Sequence, residues 1–132
     1  MNRICYIAIT ILFIVLFAQC NDTQYPAGKR YYDAYCGNCH MENGEGLSKL
    51  IPSLHNSAYL KNNQEELPCI IRNGILSKVA DDSDEVQLSM PAHPQLNDIE
   101  VLNICNYINN KWGNTFEQIN MAEMKARLDA CD

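Results

Sequence analysis

Positive charge is scarce in this chain. Ten Lys and Arg stand against sixteen Asp and Glu in 132 residues, a formal net charge of −6. That balance disfavours a nucleic-acid partner, since binding a phosphate backbone relies on clustered cations to release its counterions. Period-two alternation of apolar and polar residues is hardly visible, so helices are expected rather than a sheet. There are no repeats or low-complexity tracts, which argues against solenoids and arrays. Only one Cys-x-x-Cys pair occurs, and the next cysteine is Cys69, so a closed zinc site lacks its second half. Gly44 and Gly46 follow no strand signal and precede no Lys-Ser, which removes a phosphate loop. No catalytic acid, base and nucleophile constellation stands out.

Long apolar runs are also few. Residues 4–18 form one behind the single cation Arg3, short for a membrane span and matching a secretory signal. Residues 1–19 are therefore expected to be a signal peptide and the protein to be extracytoplasmic. Cys20 closes the run and the polar residues 21–24 follow it, which points to lipidation at Cys20 with residues 20–25 as a tether to the membrane surface. Gln19 departs from the small residue usual before such a cysteine, and plain cleavage near Ala18 or Cys20 is the alternative.

What is present is Cys36-Gly37-Asn38-Cys39-His40. Two thiols two residues apart can reach the two vinyl groups of a haem as thioethers, and the adjacent imidazole can then ligate the iron. A thioredoxin-type redox pair would instead need a βαβ setting, for which the sequence gives no sign. One covalent haem c is the cofactor expected.

In an exported protein the remaining Cys69, Cys105 and Cys131 read as disulfide material, with one left over. Val101, Ile104, Cys105, Ile108 and Trp112 share one helical face, so Cys105 is expected as a small buried hydrophobe. Cys69 opens an apolar run with Ile70 and Ile71, while Cys131 extends the face of Met124 and Leu128. A Cys69–Cys131 bridge would close a long loop worth roughly 4 kcal/mol by chain entropy.

Helices are expected over residues 28–35, with Pro26 near the start, and over 57–62, 64–73, 98–112 and 120–131. Gly74 and Gly113 act as stops and Asn120 as an N-cap. Pro68 fits only in a first turn. The acidic run 80–85 lacks the sixth-position glycine and terminal glutamate of a calcium loop, so a solvated surface is expected. An electron-carrying haem needs a sixth ligand, and Met90, followed by Pro91, is the best candidate, because a thioether stabilises ferrous iron.

These residues together resemble a small bacterial class I cytochrome c. The match runs through Gly28 and Tyr32 into Cys36, Cys39 and His40, then Pro52 and Leu54, Met90, and a helix with Ile104 and Tyr107. The resemblance implies an all-α fold of four to five short helices around one haem, with a core at 26–112 and an extension at 113–132. It implies that the Pro52 carbonyl accepts the His40 Nδ1 proton, that Leu54 and Met90 complete the cofactor site, and that Tyr32 and Tyr107 form a helix crossing opened by Gly28. The extension is expected to be a strap locked by Cys131. The function implied is electron transfer without catalysis, between a quinol-oxidising complex and a terminal oxidase or reductase. His93 is the rival sixth ligand and His55 is expected at the surface. A haem enzyme or a gas or peroxide sensor with an open sixth position is the rival function, and a non-haem lipoprotein remains if the motif is accidental. Loss of Arg3 with the signal would move the charge to about −7, favouring basic or apolar docking partners.

Overall fold

The computed structural model describes residue 3 and residues 24–48, 50–80 and 85–131. Cys20, the apolar run 4–18 expected as a signal, residues 20–23 of the expected tether and Asp81 to Asp84 lie outside the described residues. Among the described residues no helix is long and apolar enough to cross a membrane.

Six helical segments and one hairpin follow in order: α1 (Pro26–Tyr35), α2 (Gly37–His40), α3 (Ala58–Asn62), α4 (Leu67–Asn73), β1 (Ile75–Ala80), β2 (Glu85–Met90), α5 (Asp98–Asn109) and α6 (Met121–Asp129). The extra helix relative to the four to five expected is α2, a single turn carrying Cys39 and His40. Pro26 and Pro68 both sit in first turns, where a missing N–H leaves no bond unmade. That placement starts α4 at Leu67 rather than at residue 64. Asn97 caps α5 through a complete capping box with Glu100, and the Asn120 side chain accepts from the Glu123 N–H at 3.0 Å.

The core lies where α1 crosses α5, with α4 and α6 packed against α5. Gly28 makes the crossing close: a Cβ there would stand 2.6 Å from the Tyr107 Cβ and against the Asn103 carbonyl. The rings of Tyr32 and Tyr107 lie 5.5 Å apart, and Val101, Ile104, Cys105 and Ile108 are buried around them.

Two expectations are corrected. The absence of strand signal does not extend to residues 75–90, where β1 and β2 pair antiparallel from Ile75 opposite Met90 to Ala80 opposite Glu85. Val86, Leu88 and Met90 do alternate with Glu85, Gln87 and Ser89, a short period-two pattern beside the acidic run that obscured it. The second is the end of α5, which stops at Asn109 rather than at Trp112. Trp112 has φ 54, a left-handed conformation that leaves the helix and turns the indole back onto Tyr32 and Tyr107, at 5.0 and 5.4 Å.

The chain after α5 runs back across the molecule as a strap. The Asn106 side chain gives Nδ2 to the Ile119 carbonyl at 3.0 Å and accepts the Ile119 N–H at 2.9 Å. Buried Asn114 donates to the Leu54 and Ile108 carbonyls at 2.8 and 3.0 Å. A disulfide joins Cys69 of α4 to Cys131 across a separation of 62 residues, and Cys105 is fully buried as a free thiol.

Candidate cofactor site

α1 delivers the chain into the Cys-x-x-Cys-His turn. The Cys36 N–H donates to the Tyr32 carbonyl at 2.8 Å, and the N–H groups of Cys39 and His40 return to the Cys36 carbonyl at 3.1 and 2.9 Å. Both thiols and the imidazole therefore belong to one tight turn. Cys36 is buried and Cys39 exposed. Burial pushes the Cys36 thiol up to about 12, the opposite of the lowered value a thioredoxin-type pair requires. Among the described residues no three His, Cys, Asp or Glu side chains cluster as a metal site would need.

The residues after His40 fix the turn from below. Met41 has φ 64, a conformation costing about 1–3 kcal/mol outside glycine unless the surroundings impose it. The fully buried Tyr32 imposes it by donating its hydroxyl to the Met41 carbonyl at 2.7 Å. The Gly46 N–H donates to the His40 carbonyl at 3.0 Å. Gly46 is also left-handed, and a Cβ on it would lie 2.7 Å from the Pro52 carbonyl oxygen, so only glycine lets the Pro52 segment pack this closely on the backbone bonded to His40. Farther along, the Leu54 N–H donates to the Gly44 carbonyl at 2.8 Å and Leu54 is buried.

His40 is mostly buried, which lowers its proton affinity despite an opposing effect from the Pro52 backbone. Its Nδ1 is buried without a formed hydrogen bond in the protein. The Pro52 approach thus stops just short of pairing an atom that has no access to water.

Met90 ends β2, half-buried against the core. Its backbone carbonyl lies against Gly74, where a Cβ would stand 2.5 Å away. His93 packs its ring on the edge of Tyr35 at 5.9 Å, with Nδ1 3.4 Å from the Gln95 amide. His55 is exposed, stacks on Trp112 at 6.0 Å and donates through Nε2 to the Asn43 carbonyl.

The cytochrome c family model matches residues 26–112, from the first residue of α1 to Trp112. The chain belongs to the cytochrome c family. No curated protein matches it. A cytochrome c carries covalent haem c, one in a domain of this size, and transfers electrons to redox partners.

The residues present in this cytochrome c fit that group. Its two thiols and imidazole share a turn, and the orphaned Nδ1 faces a carbonyl that can orient the ring. Apolar side chains also stand uncovered in the chain after this turn: Leu47 and Leu50 on the loop and Tyr59 on α3 are 46%, 60% and 51% exposed, apolar surface of the kind a ligand or partner covers. Gly46, Met41 and Asn114 escaped the sequence reading. The first is signalled only by its place before Pro52, while Met41 and Asn114 carry no local signal because their roles depend on Tyr32 and Leu54.

Proposed function

We propose that this cytochrome c is an electron carrier rather than an enzyme, with Cys36 and Cys39 forming the thioethers and His40 and Met90 the axial ligands. The observation that best supports the reading is the buried, unpaired Nδ1 of His40 beside Pro52. A ring that hands its Nδ1 proton to the Pro52 carbonyl keeps Nε2 free as a ligand and becomes a stronger donor. Burial favours the neutral imidazole, the form that ligates. Haem supplies the one-electron ferric and ferrous couple when bound. As a ligand, Met90 would favour the ferrous state through its thioether and so raise the potential. Buried Leu54 and Ile104 keep water from the interior, and Tyr32 and Gly46 fix the Cys36–His40 turn through the Met41 and His40 carbonyls, which would limit its movement when the iron changes charge.

The acidic chain suits transient docking on basic or apolar surfaces, weakened by salt. We place it on the extracytoplasmic side, tethered at Cys20, between a quinol-oxidising complex and a terminal oxidase or reductase. The ligation is tested on the ferric protein, where thioether coordination gives a weak near-infrared band. That band is expected in the wild type and lost in Met90→Ala; its persistence in the variant would remove Met90 from the iron. Cys20→Ser is expected to move the protein from the membrane to the soluble fraction, and continued membrane association would end the lipid-anchor reading.

A further inference from the structure

The strap after α5 lies outside the region matched to the family, yet it grips α4, whose C-terminal end packs on the loop that begins at Met90. We propose that residues 114–131 are a positioning device for Met90: by clamping α4 from one end, the strap restrains the opening of the loop that carries the methionine. The inference rests on the reading of Met90 as axial ligand.

The first link is strap to α4. Cys131 is bonded to Cys69 in the first turn of α4. Arg127, with only 11% of its side chain exposed, donates Nη1 to the Gln64 carbonyl at 2.8 Å and pairs through Nη2 with Glu65 at 3.0 Å. Its Nη2 also pairs with Glu123 on α6. Gln64 and Glu65 form the turn that enters α4, so one guanidinium joins the strap helix to that turn.

The second link is α4 to the methionine loop. The Ile71 and Arg72 carbonyls both accept the His93 N–H, at 3.2 and 3.0 Å. Gly74 lies so close that an added Cβ would stand 2.8 Å from the Ala92 nitrogen as well as against the Met90 carbonyl. The Arg72 guanidinium reaches the Leu96 carbonyl at 3.2 Å and Asp98 at 2.8 Å, fastening the far end of the same loop. Residues 90–96 are thus hung on the C-terminal half of α4.

Between the links α4 is seven residues long, too short to persist without tertiary packing. Its buried Leu67, Pro68 and Ile71 face the core, while its two ends are held by the strap and by the loop. Local opening of such a segment is governed by its own contacts and not by global stability alone. Releasing the strap end raises the population in which Met90 has moved away.

The experiment is a titration of ferric holo-protein with imidazole, which occupies the sixth position only when Met90 leaves it and so reads the open fraction. Cys131→Ser is expected to bind imidazole about tenfold more tightly than the wild type, following a tenfold larger open fraction. Arg127→Leu is expected to shift in the same direction and keeps the test available if the disulfide variant does not fold. Ser57→Ala, which removes the α3 cap from Leu60, is expected to lower the unfolding temperature with no change in imidazole affinity, a separation that a merely structural strap would not give. Affinities equal within about twofold in wild type, Cys131→Ser and Arg127→Leu would overturn the proposal. The near-infrared band is recorded before imidazole is added: its absence from all three proteins would instead show that Met90 is not the ligand, and the positioning role would fall with it.

Discussion

A methyl group at position 46 has no space to occupy. Gly46 combines φ +71 with a backbone packed on the Ile51 and Pro52 carbonyls, and it donates to the carbonyl of His40. Gly46→Ala is therefore expected to destabilise the holo-protein by about 2 kcal/mol or more, from left-handed strain and displacement of the Pro52 segment. Thermal unfolding checks this, and a variant as stable as wild type would mean that the Pro52 segment is not positioned through Gly46. Cys36, Cys39 and His40 were legible because their chemistry is contained in five consecutive residues. Gly46 was not, since its necessity comes from Pro52 across a loop, and nothing local separates it from Gly44. The neighbouring Gly44 has a different reason to be glycine: a Cβ there would lie 2.7 to 2.8 Å from the Trp112 ring.

Helices with capping residues were the easiest elements to place. Asn97 and Asn120 open α5 and α6 with side-chain bonds to N–H groups that a helix start leaves unpaired. Ends decided by tertiary contacts were harder: α5 yields at Asn109 because the indole of Trp112 packs back on two tyrosines, and no residue pattern states that. The hairpin was missed for a different reason. Its alternation covers only a few residues of β2, and an acidic run separates it from β1. Early in the strap one amide, that of Asn106, replaces a strand neighbour by bonding both backbone groups of Ile119. Asn106→Ala leaves that N–H and C=O buried and unpaired, and is expected to cost about 3 kcal/mol. Denaturant unfolding measures it, and a loss under about 0.5 kcal/mol would show that the amide does not anchor the strap.

At the scale of the molecule, one crossing and one return path organise everything else. α1 meets α5 through Gly28, Tyr32 and Tyr107, which puts the Cys-x-x-Cys-His turn at the end of a rigid helix. The strap then returns over α5 to the disulfide on α4. That closure constrains a 62-residue loop, worth roughly 4 kcal/mol by chain entropy. The order and spacing of Gly28, Cys36, His40, Pro52, Met90 and Tyr107 made the family legible, and the family model covers all six positions. The strap's route was less so, since it is set by Asn106, Asn114 and Arg127, polar residues whose burial appears only once the helices are assembled. With His40 and Met90 both on the iron, as proposed, the haem of a carrier would offer no position to a gas, whereas an enzyme or gas sensor would keep one open. The most direct test of this central claim is the visible spectrum of the ferrous holo-protein with and without carbon monoxide. An unchanged low-spin spectrum is the result expected, and ready formation of a carbon monoxide adduct would show an open sixth position and remove Met90 from the iron.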